Sequence, residues 1–415
     1  MQEQPRPAED MLESGEAPAE DTPIPPEELA AFGKIYRLIL RHHPDTSITP
    51  EQLIEGAIRG MLSSVDNYSE YISAGDVVER EKKEQFGQVQ DVGIEIARTA
   101  KGIQVLSVYP NSPAHKGGVK ALDVLLEIDG SRTALLGMNT VRAKLAGETG
   151  TKARLTVLRE GAERRLEFER SRYEFTEVEN LPAIEGGYGH IRIHWFSADT
   201  ADRFELALSG LLRLEADGIN GLLIDLRGNA GGHIESALKS AQKFIDGHSM
   251  ISIRMRPPAQ PIRYRAARGD VLSGIPIVLL VDGGTASAAE MFTLALQQNN
   301  RAVVVGNQTF GKGSTQSSIA IGADRELILT TGYYLDPLGK SIHARGIKPD
   351  VLLGLRPPDQ RGEEDWQVER ALDVLRALDR MRTPTPPPPA QSAESSSPSQ
   401  EDNVAGDIQE LLRSY

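Results

Sequence analysis

Cysteine is absent from the 415 residues. Disulfides, zinc–thiolate sites and a thiolate nucleophile are therefore excluded, although the absence fixes no compartment. Long apolar runs are missing as well. No stretch reaches the roughly 18–20 apolar residues that span a bilayer; Ile275–Val281 is of strand length and contains a proline. Positive charge is in deficit, with a net charge of −13 and no Lys/Arg-rich run, which argues against nucleic acid or anionic lipid as a partner. The opening MQEQPRPAEDMLESGEAPAEDTPIPPEE is acidic and proline-rich and has no charged-then-apolar leader pattern, so it does not read as a signal peptide. Either the protein stays in the cytosol or a leader is missing from the sequence. Several catalytic patterns are also lacking. None of the eight histidines lies in HExxH, no serine lies in GxSxG, and there is no P-loop or GxGxxG. No metal or other cofactor is expected.

What is present is ordinary globular composition, 39% hydrophobic and 25% charged, on a chain long enough for two or three domains. Residues 1–27 read as a disordered tail. Over 28–83 the apolar spacing is helical: Leu29, Phe32, Ile35 and Leu38, then Leu53, Ala57, Ile58 and Leu62. Thr49-Pro50 supplies a cap and a proline at the first helical position. Over 84–172 the period changes to two, in short runs such as Ile103–Val108, Val124–Ile128 and Ala153–Leu158. Asp129-Gly130 and Glu160-Gly161 supply turns, and a helix at Thr140–Leu145 interrupts, which describes a small barrel-like module. Over 173–358 strands alternate with helices, including strand Ile275–Val281, helix Ala288–Gln298 and strand Ala302–Gly306, as in a layered α/β core. A helix over 359–382 and a Pro/Ser linker with a short terminal helix over 383–415 complete the chain.

Two segments carry candidate chemistry. DGGTASAAE (282–290) follows a buried-type strand and opens a helix. Ser287 therefore falls near a helix N-terminus, where unsatisfied N–H groups favour negative charge, as a nucleophile and an oxyanion site require. Taken alone, such a serine reads more simply as a helix cap. TFGKGSTQ (309–316) follows the next strand, and a strand–helix–strand path returns the chain to the same sheet edge, within reach for Lys312. A lysine serves as a base only if burial lowers its pKa from about 10.4 towards neutrality. By itself, Lys312 reads more simply as an exposed loop residue.

Together, GLLIDLRGNAGG (221–232), DGGTASAAE (282–290), GNQTFGKGSTQ (306–316) and TTGYYLDPLGKSIHARGIKPDV (330–351) resemble the four signature blocks of the carboxy-terminal processing (tail-specific) proteases, in order and spacing. Residues 51–73 resemble that family's N-terminal block and 112–130 its PDZ domain, so the resemblance covers about 28–355. It implies an α/β (α+β) fold: a ClpP/crotonase-like layered protease core with an inserted PDZ β-barrel and N-terminal helices. It implies a serine endopeptidase with Ser287 as nucleophile, Lys312 as general base and Gln316, expected on the same helical face, orienting the lysine. Oxyanion donors map onto the N–H groups of Ala288 and of Gly231 or Gly232. The PDZ carboxylate site maps onto Val92, Gly93 and Ile94. Arg159 is a candidate contact between module and core.

The implied partners are protein or peptide substrates with a free C-terminus. Self-association through terminal helices and an adaptor protein are further candidates. The implied location is a bacterial periplasm or cell envelope. Departures from the family pattern are Leu122 where glycine is usual, Gly117-Gly118 for Ala-Gly, Gly228 and Ala230 for Asn and Pro, and His233 for an aliphatic residue. A catalytically silent PDZ scaffold would be expected to lose Ser287, Lys312 or Gln316, and a crotonase-like acyl-CoA enzyme would lack the PDZ insertion and this Ser/Lys spacing.

Overall fold

The structure, a computed structural model, describes residues 23–73, 92–214, 218–257, 259–322, 324–354 and 365–382. The tail up to residue 22, the stretch 74–91 and the Pro/Ser segment beyond 382, with its expected short helix, lie outside these residues.

In chain order the elements begin with α1 (Pro26–His42), α2 (Pro50–Ser63) and β1 (Glu70–Ile72). The inserted module contributes β2 (Ile94–Thr99), β3 (Gly102–Val108), α3 (Pro113–Lys116), β4 (Val124–Ile128), β5 (Ser131–Arg132), α4 (Met138–Ala146), β6 (Lys152–Arg159) and β7 (Ala162–Glu169). There follow β8 (Val178–Asn180), β9 (Tyr188–Ile193), α5 (Thr200–Leu214), β10 (Gly221–Asp225), α6 (Ile234–Ala241), β11 (Ser249–Met255) and β12 (Ile262–Arg265). The last are β13 (Ile277–Val281), α7 (Ala288–Gln298), β14 (Val303–Gly306), β15 (Ser314–Ala320), β16 (Glu326–Leu335), β17 (Val351–Leu352) and α8 (Trp366–Arg382). They divide into two compact units. One holds Met1–Phe175, Ser249–Arg265 and Gly311–Ala344, and the other Thr176–His248, Ala266–Phe310 and Arg345–Tyr415.

In the first unit α2 is opened by a reciprocal cap. The Thr49 hydroxyl accepts the Gln52 N–H at 3.2 Å, and the Gln52 side chain accepts the Thr49 N–H at 3.0 Å. Of the helical pattern expected as far as Lys83, α2 ends at Ser63, and 74–83 lie outside the described residues. Asp66 then turns the chain by accepting the N–H groups of Tyr68 and Ser69, and β1 pairs with β16 through Glu70↔Ile328 and Tyr71↔Leu327. A strand partner more than 250 positions away outweighs local helical spacing here. The inserted module is an antiparallel sheet, β2-β3-β4-β6-β7, with β2 at one end of the order. Its alternating residues Ile103, Val105, Leu125, Leu155 and Val157 are fully buried with Val141 and Leu145 of α4.

The second unit is built on a six-stranded sheet, β17-β14-β13-β10-β9-β8. It is parallel except for the β8/β9 pair. Strands β10 and β13 are buried at every position, as expected when both faces of a parallel sheet are covered. On one face Leu372 and Leu375 of α8 pack with Leu223, Val278, Leu280 and Val305. Elsewhere in this core, Phe204 of α5, Phe244 and Phe292 of α7 meet edge to face. Beside the sheet's carboxyl edge, burial opposes the Asp225 charge, but Arg227 donates to both its oxygens and holds the carboxyl below its usual range. Arg227 also donates to Asp365 just before α8.

Two departures from the family pattern lie in the module, and one of them acquires a physical reason. A Cβ at Gly117 would collide with the Phe168 ring, so only glycine fits. Leu122 stands at φ 71 with its side chain 43% exposed, a left-handed conformation unfavourable for a residue with a branched side chain. Leu122→Gly is therefore expected to stabilise the protein by about 0.5–1 kcal/mol. Chemical denaturation of both forms checks this, and a destabilised glycine variant would contradict it.

Candidate active site

β13 ends at Val281, and the turn that follows is fastened by buried polar ties. An oxygen of Asp282 accepts the N–H groups of Gly228 at 2.9 Å, Gly284 at 2.9 Å and Thr285 at 3.1 Å. Burial nevertheless pushes the Asp282 carboxyl above its ordinary value. The Thr285 hydroxyl donates to the Leu226 carbonyl at 2.8 Å, and the Ala286 N–H to the Asn229 carbonyl at 2.9 Å. Ser287 follows at φ 54 and ψ −120, and α7 starts at the next residue. Such dihedrals cost a non-glycine residue on the order of 1–3 kcal/mol.

The opposing hold is Glu290, which is fully buried. Its Oε2 accepts the Ser287 N–H at 2.9 Å, and its Oε1 accepts the Thr309 hydroxyl at 2.5 Å. Thr309 Oγ1 in turn accepts the Ile347 N–H at 2.7 Å. Sequence reasoning passed over Glu290 and Thr309. The Ser-x-x-Glu spacing at a helix start was the available signal.

Gly231, at φ 107, passes close beside the serine. A Cβ there would lie 2.7 Å from the Ser287 Cβ and 2.9 Å from the Ala288 nitrogen. Gly231 donates its N–H to Asn229 Oδ1 at 2.9 Å, and its carbonyl accepts the Phe196 N–H at 2.9 Å. The N–H groups of Ala288 and Gly232 take no acceptor among the described residues. Thus Ser287, Ala288, Gly231 and Gly232 come together in one unit.

Lys312 and Gln316 belong to the other unit. The half-buried Lys312 lies between two backbone ties: Ala344 donates to the Gly311 carbonyl and Tyr334 to the Gly313 carbonyl, each at 2.9 Å. Its Nζ stands 5.3 Å from the centroid of the Tyr68 ring. Gln316 is not on a helical face with Lys312. It lies in β15, paired with β16, because long-range pairing takes this polar stretch into a sheet. Its Nε2 donates to Ser314 Oγ at 3.0 Å and Thr330 Oγ1 at 3.2 Å.

In the module, the Val92 carbonyl accepts the Ala114 N–H and the Gly93 carbonyl the Tyr109 N–H, each at 2.9 Å. Ile94 opens β2. Arg159, expected between module and core, makes its described contacts inside the module. Its Nε and Nη2 grip the two Asp123 oxygens at 2.7 Å each, and Nη2 also donates to the Gly118 carbonyl at 2.7 Å. A fork facing a nearly fully buried carboxylate is the geometry that selects arginine.

Residues 187–353 match the model of peptidase family S41, 104–159 that of a PDZ domain, and 1–75 that of the activating protease CtpB N-terminal domain. The carboxy-terminal-processing protease of Bartonella bacilliformis is 32% identical over 335 residues, spanning 80% of this chain and 76% of that protein. The carboxy-terminal processing protease CtpB of Bacillus subtilis is 31% identical over 352 residues, 82% of this chain and 70% of the relative. The chain belongs to the carboxy-terminal processing protease family. It is a serine-type peptidase of mixed α/β fold carrying a PDZ domain. Among solved structures, the photosystem II D1 C-terminal processing protease superposes with a TM-score of 0.65 at 25% identity, covering 80% of this chain and 94% of that one.

Removing the Glu290 carboxylate frees the Ser287 backbone to relax towards ordinary helical dihedrals. Glu290→Ala is expected to lower kcat/KM by about 100-fold, the scale of a 1 Å misplacement, while the protein stays folded. Steady-state kinetics with a parallel melting curve checks this; a folded Glu290→Ala enzyme of undiminished activity would contradict it.

Proposed function

We propose that this protease cleaves protein substrates with a Ser287–Lys312 pair and selects them by their free C-terminal tail through the PDZ domain. The observation that carries the first part is the strained, doubly fastened backbone of Ser287 at the mouth of α7. Strain of this kind persists where the surroundings over-determine it, as at nucleophiles. The Phe310 N–H donates to the Thr285 carbonyl at 3.0 Å, so the chain is tied beside the serine turn two positions before Lys312 in sequence.

In this reading the neutral Lys312 amine takes the proton of Ser287 Oγ as that oxygen attacks the scissile carbonyl carbon. The carbonyl oxygen becomes an oxyanion, held by the Ala288 N–H and, on the facing turn, by Gly232, whose N–H is uncommitted where that of Gly231 serves Asn229. Gly231 contributes by its missing side chain, which lets the turn approach the serine. The Lys312 ammonium then returns the proton to the leaving amine, and water releases the acyl group by the reverse sequence. Gln316 acts from β15, the strand that follows Lys312, by a tie to Thr330.

For the tail, the bound peptide adds as a strand to β2, with its carboxylate at Val92, Gly93 and Ile94. Arg159 fastens the module through Asp123. The exposed apolar side chains of α1, Leu29, Phe32, Ile35 and Leu38, support self-association through the N-terminal helices. Among the described residues no helix is long and apolar enough to cross a membrane. The family resemblance favours a periplasmic or envelope location and leaves room for an adaptor.

Ser287→Ala and Lys312→Ala are each expected to reduce cleavage of an unfolded substrate by about 1,000-fold or more, with the fold intact. Under single-turnover conditions the wild-type rate should climb from neutral into mildly alkaline pH as Lys312 loses its proton; wild-type turnover in either variant, or a flat profile, would sink the pair. Two otherwise identical peptides with apolar tails, one ending in a free carboxylate and one amidated, test the tail. The free form should bind and be cleaved faster, and equal rates would make the protein a general protease of unfolded chains.

A further inference from the structure

The aromatic ring that faces Lys312 comes from a part of the chain to which the proposed chemistry assigns no role. Tyr68 lies between α2 and β1, and its ring centroid is 5.3 Å from the Lys312 Nζ, within the range of about 6 Å for a cation over a π face. We propose that Tyr68 is a positioning residue for the base: its ring seats the Lys312 side chain and favours the ammonium that forms when the serine proton arrives. The proposal rests on Lys312 being the base.

The ring is placed by a built turn. Asp66 Oδ1 accepts the N–H groups of Tyr68 and Ser69, each at 2.6 Å, and Asp66 Oδ2 accepts the Ser69 hydroxyl at 3.0 Å. Ser69 Oγ also accepts the N–H of Thr330 on β16 at 3.1 Å. Immediately afterwards β1 joins the edge of β16. Thr330 is thus a shared anchor, receiving the Tyr68 turn through its N–H and Gln316 through its hydroxyl. The Tyr68 turn and Gln316 are thus referenced to one position of one strand. His343 packs edge to face with Tyr68 at 5.9 Å and with Tyr333 at 4.9 Å.

The titratable groups gathered here are Tyr68, Tyr333, His343 and Asp66. Burial lowers the His343 pKa against the pull of Asp66, which favours the neutral imidazole. The Tyr68 π face meets the Lys312 Nζ at 5.3 Å. It attracts the ammonium and is nearly indifferent to the amine, so its loss should make the lysine both more acidic and less well held.

The test uses the full chain, a fluorogenic peptide with a free apolar C-terminus, and the pH dependence of single-turnover cleavage. Tyr68→Leu should lower the alkaline plateau by about 3- to 10-fold and move the midpoint of the acid limb down by about 0.5–1 pH unit, with little change in KM. Tyr68→Phe, which keeps the face without the hydroxyl, should restore both. Phenylalanine carrying one, two and three ring fluorines at position 68 keeps the shape while draining the face, so it remains informative if Tyr68→Leu fails to fold. The midpoint should then fall stepwise. A fluorination series without a trend, a wild-type profile in Tyr68→Leu, or equal losses in Tyr68→Leu and Tyr68→Phe would overturn the proposal. Lys312→Ala, run alongside, separates the two ideas. If it turns over normally the base assignment is wrong, whereas an inactive Lys312→Ala with a flat fluorination series removes Tyr68 alone.

Discussion

Ser287 is held at a backbone conformation that an L-residue avoids, and the hold is a carboxylate three residues along the same helix. Glu290 is fully buried, and both its oxygens are used: one takes the serine N–H, the other the Thr309 hydroxyl. Burying a carboxylate is unfavourable unless its lone pairs are satisfied. Thr309 is fixed in turn by the Ile347 N–H. Local strain at one residue is thereby tied to β14's exit and to the chain leading into β17, so it cannot relax without unmaking buried hydrogen bonds elsewhere.

The parallel sheet explains why these groups meet. β10, β13 and β14 are neighbours in register, Asp225↔Leu280 and Val281↔Gly306, so their carboxyl ends open on one edge. From β10 come Asn229 and Gly231, from β13 come Asp282, Thr285 and Ser287, and from β14 comes Thr309. Each turn is tied to another by a buried polar contact: Gly228 to Asp282, Thr285 to Leu226, Ala286 to Asn229. The fold supplies proximity, and the ties supply the sub-ångström placement that acyl transfer needs.

Much of this was legible beforehand because the informative residues are local. A buried apolar strand, two glycines and a serine before a helical pattern describe the turn at 282–290 without any partner. The inserted module was likewise legible from its period of two and its Asp-Gly and Glu-Gly turns. What escaped depended on distant partners. The pairing of β1 to β16 leaves no mark in EYI itself, so the local spacing alone reads as helix. The i to i+4 spacing of Lys312 and Gln316 suits a helical face and carries no sign that β15 pairs with β16. Asp123, 36 positions before Arg159, gives no local hint of the fork that the two residues make. Glu290 was within view, its cap spacing overlooked beside the more conspicuous serine.

A lysine-activated Ser287 is proposed as the reacting group. Covalent trapping with diisopropyl fluorophosphate, mapped by mass spectrometry across a pH series, tests it most directly. One phosphorylated residue is expected, Ser287, with a labelling rate that rises with pH in the wild type and collapses in Lys312→Ala. Labelling at a different serine, or an undiminished rate without Lys312, would contradict it.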